Sequence, residues 1–404
     1  MVASRALTPT VALEQAAERV WDVLVIGAGP AGALAAREAA RRGASVLLVD
    51  RAAFPRYKVC GGCLNAAALT TLGAVGLGEL PIQLGGRPLR ELRLAAGGLE
   101  TSIPLPAGVA LSREAFDAAL VQHAVVSGAH FLPRTHATLN GLGDMMRRLR
   151  LQHGAEDVLV EARVVLVADG LGGKSLQREQ GFESSVARDS RVGVGTMIEA
   201  APSFYRSGTI FMACGTGGYI GLVRVEDGRL DIAAALDSSF VRHAGGAGAA
   251  STMILAQTGL PTISGLNSMT WRGTPALTHR RPRLAAARLF VLGDAAGYVE
   301  PFTGEGIAWA LASGVAVTPL ALEAVQRWTP SLAVQWTRRY RRLVGRRQHA
   351  CRLVTGLLRR AVLTRAAVGV LSQVPELVAP LVRYLNSPFP LARDESEWEC
   401  ATSS

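Results

Sequence analysis

From Trp21 to Ile26 the chain runs through WDVLVI, a short apolar stretch with the length and composition of a strand buried on both faces. The apolar positions then change spacing. Pro30 stands where a helix starts and Gly43 where it stops, and Ser45 to Val49 is a second buried strand ending at Asp50-Arg51. Leu64 to Leu80 is Ala- and Leu-rich and predicts a helix, while Leu89 to Ile103 alternates around Gly97-Gly98 and predicts a hairpin. In Leu111 to Ser127, Ser112 is the N-cap, Glu114 sits in the first turn, and Phe116, Leu120, Val121 and Ala124 recur at helical spacing. Phe131 to Leu139 and Val158 to Val167 read as strands, the second stopping at Asp169-Gly170.

From Ser190 to Arg283 the texture shifts to short strands punctuated by Gly and Pro, the pattern of an antiparallel sheet. Leu289 to Leu292 returns to the buried-strand pattern, and a helix follows from about Ile307. Beyond Val317 the chain is helical and Arg-rich up to a polar, acidic tail from Arg393, predicted disordered. These elements predict an α/β, Rossmann-like domain in two pieces, residues 20–189 and 284–316. An inserted sheet lobe takes 190–283 and a helical region 317–392, with tails at 1–19 and 393–404.

Composition narrows the class. With 404 residues, 49% hydrophobic and 19% charged, the chain is globular. Its net charge of +11 comes almost wholly from arginine, Lys58 and Lys174 being the only lysines, and no zinc-finger spacing or RNA-binding signature accompanies it. No nucleic-acid partner is expected. Five cysteines, an odd number, argue against a disulfide framework and for a reducing, cytoplasmic setting. Met1 to Arg19 lacks a signal-peptide core, and the apolar runs Gly306 to Leu322 and Ala366 to Val382 are Pro-broken and short of a span of about 20 residues. Along Arg338 to Arg365 and just before it, Trp336, Tyr340, Leu343, Val344, Cys351, Val354 and Leu358 recur at three- and four-residue steps among arginines. That basic amphipathic face suits a peripheral membrane surface or packing on the nucleotide domain. Oligomeric state is not legible.

Three stretches carry chemistry. In Gly27-Ala28-Gly29-Pro30-Ala31-Gly32 the first glycine permits the tight turn, the second lets backbone approach a pyrophosphate, and the third packs helix on strand. The pyrophosphate lies on free amides at a helix start, and Asp50 is placed to accept from a ribose hydroxyl. Asp169-Gly170 offers a carboxylate and a glycine at a strand end. Gly293-Asp294, followed by Pro301 and by Gly304 and Gly306 before a helix, places a carboxylate for a ribityl hydroxyl and helix amides for an electron-rich ring. Cys60 and Cys63 form a C-x-x-C, open to a redox pair, half a zinc site or an incidental spacing; no second pair stands by to complete a zinc site, and the seven histidines show no metal spacing. No metal site is predicted.

GAGPAG ending at Asp50, the ADG of Ala168 to Gly170 and the GDAAG of Gly293 to Gly297 stand in the order of the FAD-dependent group A monooxygenases. With Cys60-Gly61-Gly62 and EPFTGEGI from Glu300, the chain most resembles the geranylgeranyl reductase family within that superfamily. The resemblance implies FAD and a substrate lobe beside the flavin, with Arg51, Gly61, Gly62 and Arg113 near the cofactor and Cys60 near the ring as the catalytic candidate. Three departures limit it. GYIGLVRV from Gly218 replaces the reductases' Tyr-x-Trp-x-Phe-Pro, Gly297 replaces the hydroxylases' His, and the halogenases' Trp-x-Trp-x-Ile-Pro is absent.

The expectation is an FAD-dependent oxidoreductase acting by hydride transfer on a hydrophobic small molecule: a lipid, isoprenoid, quinone or aromatic polyketide-type metabolite. The alternatives are a monooxygenase hydroxylating an aromatic metabolite with NAD(P)H and oxygen, and a non-catalytic FAD-binding protein. NAD(P)H is the expected electron donor, without a second dinucleotide fingerprint to hold it.

Overall fold

In the computed structural model, which describes residues 6–143, 145–300, 302 and 304–391, strand Val20–Ile26 sits inside a parallel sheet. Val46–Val49 flanks it on one side and Glu156–Val167 on the other. His130–Leu132 and Leu289–Val291 continue the parallel array outward. Helix Pro30–Ala40 packs on this sheet between helices Arg113–Val126 and Gly306–Gln326. Its Ala-rich face explains the close fit, because small side chains let helix backbones approach. Ser112 caps Arg113–Val126 as expected, its hydroxyl accepting from the Ala115 amide at 3.1 Å.

The second sheet has seven strands in the order Arg272–Ala276, Val192–Ile198, Leu230–Leu236, Gly218–Arg224, Thr209–Gly215, Glu91–Ala96, Leu99–Pro104. All neighbours are antiparallel except Thr209–Gly215 and Glu91–Ala96, which run parallel. The hairpin around Gly97-Gly98 therefore forms as predicted but joins the lobe's sheet, although the sequence places it within the nucleotide domain. A long-range strand pairing leaves no trace in local pattern. Helices Ser238–Ala244 and Ala247–Thr258, absent from the sequence reading, cover one face of this sheet, burying Phe211, Ile220 and Ile232 against Ile254 and Leu255. By the two-residue alternation of strands, Tyr219, Gly221, Ala233, Ala235 and Met212 face the other way, toward the nucleotide domain.

Smaller differences have local causes. Leu64 belongs to strand Cys63–Asn65, and the helix begins only at Ala66, where the Asn65 side chain accepts from the Ala68 amide. Phe131 to Leu139 divides into His130–Leu132 and Thr135–Leu142 because Arg134 takes a φ of 53°. Strand Arg147–His153 completes a meander with its neighbours. The N-terminal segment, open in the sequence to a tail or a short helix, forms the short helix Leu13–Ala17 and packs on the nucleotide domain: Leu7 donates to Phe54, Thr10 to Phe131, and Trp21 Nε1 to Ala16. Pro301 and the tail 393–404 lie outside the described residues.

Helix Gly306–Gln326 is long and apolar enough to cross a membrane, but 78% of its most apolar window is buried in the core. The Arg-rich region forms helices Pro330–Tyr340, Arg346–Leu358, Ala361–Gln373 and Ala379–Asn386, the first two joined by a π-helical turn. Its apolar face packs inward: Trp336 Nε1 donates to Val291 at 2.9 Å and the Tyr340 hydroxyl to Gly293 at 3.2 Å.

Candidate functional site

At Gly27 the chain leaves its strand with φ +99°, and a methyl there would stand 2.4 Å from the Ala168 carbonyl oxygen. At Gly32 it would stand 1.9 Å from the Gly27 carbonyl oxygen. No side chain fits either place, so the first strand, the helix and the ADG strand meet backbone to backbone. Gly29 differs. Its Cβ direction is open, with the nearest atoms being the Arg113 and Arg56 guanidinium nitrogens at 3.8 Å. Two cations thus face the free amides of a helix start, the arrangement an anionic bridge needs.

Asp117, wholly buried, holds both arginines. Arg113 donates to it through two nitrogens, each at 2.7 Å, and Arg56 lies 3.2 Å away. Burial works against both charges, yet the pairing outweighs it: the Asp117 carboxyl is held below its usual range and Arg113 is held charged. Asp50 accepts from the Ala28 and Ala52 amides, each at 2.8 Å, so the carboxylate expected on a ribose also braces the glycine turn.

Gly29, Pro30, Ala31, Cys60, Gly61, Arg113, Gly170, Gly293, Asp294, Gly304 and Gly306 all line one cavity of about 210 Å³. Gly27, Ala28 and Gly32 shape its turn from behind. Arg51 is exposed and does not line it; Asp169 spends one oxygen on the Ser175 amide and hydroxyl, fixing the turn that presents Gly170. Gly62 faces the buried Asp231 rather than the cavity.

The opposite wall is apolar, built from Leu89, Leu92, Ile210, Met212, Tyr219 and Leu277 of the lobe and Phe302 of the connecting loop. Tyr219 and Phe302 meet edge to face at 5.0 Å.

Residues that the sequence did not single out complete the site. Lys58 reaches into the space between motifs, its Nζ 3.9 Å from Asp294, and burial lowers its affinity for a proton. Tyr298 lines the cavity with its hydroxyl against Gly306, and burial keeps the phenol protonated. Cys60 lies beside Arg113. The Cys63 thiol donates to the Gly61 carbonyl at 2.9 Å, and burial, then Cys60 and Asp231, push it well above the thiol range. Both cysteines are free thiols. Charged residues of an irregular loop, such as Arg56 and Lys58, carry no periodic signal. Among the described residues no group of three His, Cys, Asp or Glu is placed to hold a metal ion.

A family model for an FAD binding domain matches residues 20–217. The chain is an FAD-dependent oxidoreductase. In sequence it is similar to archaeal digeranylgeranylglycerophospholipid reductases, and in fold to flavin-dependent halogenases. It is 27% identical over 323 residues to digeranylgeranylglycerophospholipid reductase 2 of Methanosphaera stadtmanae, covering 76% of this chain and 78% of that one. Menaquinone reductase of Mycobacterium tuberculosis is 38% identical over 154 residues, covering 37% of each. Among solved structures, flavin-dependent brominase Bmp2 superposes with a TM-score of 0.75 at 16% identity, covering 91% of this chain and 94% of that chain. The myxobacterial halogenase CndH does so at 0.69 and 19%, covering 82% and 81%. At such identities the likeness is one of fold.

The residues fit FAD. Gly27 and Gly32 leave room only for backbone, two arginines face Gly29, and Asp294 and the Gly306 helix start line the same cavity. The oxidoreductase would hold the pyrophosphate at Gly29 to Ala31 and the flavin end between Gly293-Asp294 and Gly304 to Gly306.

Proposed function

We propose that this oxidoreductase transfers hydride between flavin and a largely apolar lipid, isoprenoid or quinone-type molecule, in the direction of double-bond reduction. The observation that carries the reading is the shared cavity: cofactor-motif residues form one wall and aliphatic side chains of the lobe form the other. Bound FAD supplies the hydride chemistry. The protein's part is binding, water exclusion and proton management. The lobe and its hairpin hold the substrate's apolar body, while Phe302 and Tyr219 close the end beside the cofactor loop. With FAD bound, Asp294 would accept from the cofactor's hydroxyls. Cys60 and Tyr298, both lining the cavity, hold protons at Sγ and at the phenol oxygen for the carbon that does not receive hydride. The electron donor in this reading is NAD(P)H.

The relatives' names point the same way, one class acting on a polyprenyl phospholipid and one on menaquinone. The missing Tyr-x-Trp-x-Phe-Pro segment and the small residues Gly221, Ala233 and Ala235 give this cavity a flatter wall, suited to a ring as well as to a chain. The test is anaerobic incubation of flavin-loaded enzyme with NAD(P)H and either a geranylgeranyl lipid or menaquinone, read by product mass. Gain of hydrogen supports the reading. Inert lipids under these conditions, with oxygen incorporated into an aromatic substrate in air, would overturn it.

A further inference from the structure

The C-terminal helices bury one face and leave another uncovered. Eight of the nineteen exposed large apolar side chains among the described residues fall between Leu353 and Tyr384. Val362 is 80% exposed, Leu353 73% and Leu377 61%. In helix Ala361–Gln373, Val362, Ala366 and Val370 follow at four-residue steps and form one outward stripe, while Thr364 and Val368 point inward onto the hairpin.

The charge around this stripe is one-sided. From Arg338 to Leu391 there are eleven arginines and a single carboxylate, Glu376. Two copies meeting through this surface would bring like charges together, whereas an anionic lipid surface would neutralise them. The stripe also backs onto the cavity. Val378 and Val382 pack on the same buried cluster as the cavity-lining Ile210 and Phe302, a cluster that includes Met212, Tyr219 and Leu277 of the cavity wall, and Asn386 at the end of the last helix lines the cavity itself. The helix pair Ala361–Gln373 and Pro375–Asn386 bends by 117°, the shape of a surface laid on a bilayer rather than a rod crossing one.

We propose that this face docks the enzyme on an anionic bilayer, seating Val362, Val370 and Leu377 among the lipid headgroups with Arg360, Arg365 and Arg383 on phosphates. An apolar molecule then passes from the bilayer along the inner side of the last helix to the cavity without crossing open water.

Sedimentation of the flavin-loaded enzyme with vesicles of phosphatidylcholine alone, or mixed with phosphatidylglycerol, tests this without turnover, so its result is separate from that of the reduction assay. The expected outcome is binding to the phosphatidylglycerol vesicles that weakens as salt rises. The V362D/L377D variant should lower that binding at least about tenfold with flavin absorbance retained, whereas V126D, on a remote exposed helix end, should leave it unchanged. Absence of binding, equal binding by V362D/L377D, or conversion of a wild-type dimer to a monomer by that variant without any vesicle effect would each overturn the proposal.

Discussion

Asp117 shows how much a single buried carboxylate carries. It holds two guanidiniums toward Gly29 and the helix start, where a cofactor's anionic bridge would lie. Replacing it as Asp117→Asn leaves both cations without their counter-charge, at a cost of about 3–5 kcal/mol at neutral pH, measurable by urea unfolding. Because its folded pKa is held below the ordinary value of about 3.9, its contribution is complete above that value. It is lost as pH falls through the folded value. Wild-type stability should therefore fall below about pH 4 more steeply than that of the Asn variant. Cys60 gives a second test at this scale. If its thiol holds the transferred proton, Cys60→Ser should lower turnover about a hundredfold with flavin content unchanged. Equal turnover would reduce Cys60 to a packing residue.

The element that everything else abuts is the turn from Val20–Ile26 into Pro30–Ala40. Gly32→Ala would drive a methyl to 1.9 Å from the Gly27 carbonyl oxygen, and neither backbone segment can yield. Loss of flavin from the purified protein, seen as loss of its visible absorbance, is the expected outcome. This unit was legible because its signals are local: a buried strand, glycines at fixed spacing, a helix start and stop, and a second strand. The helices at Ser238–Ala244 and Ala247–Thr258 were not. The sequence AGAASTMILAQT carries small residues on all sides, so no apolar stripe marks it, and its helical state depends on the sheet it covers. The same limit applies to the site: the glycine motifs pointed to residues that do line one cavity, but Arg56, Lys58 and Tyr298 take their places only through folding of the loops that bear them.

At the scale of the whole molecule, a buried ionic knot ties the parts together. Arg191 of the lobe donates to Glu300 of the cofactor loop at 2.9 Å and to Asp237 at 3.2 Å, and Arg359 of the C-terminal helices reaches Glu300 at 3.4 Å. Glu300 is fully buried, so among the described residues Arg191→Ala leaves its carboxylate with only the longer Arg359 contact. A loss of about 3–5 kcal/mol is expected, with earlier proteolysis of the lobe as a separate readout. The lobe is also woven into the rest by chain path. Its Glu91–Ala96 strand pairs with Thr209–Gly215, and Thr209 bonds to Glu91 across 118 residues. On a ribosome adding about 5–20 residues per second, the hairpin emerges roughly 6 to 24 s before its partner strand exists. During that interval an apolar sheet edge stands open to other nascent chains. Recovery of folded enzyme should thus depend on how quickly residues 105–208 are translated and on what shields that edge meanwhile.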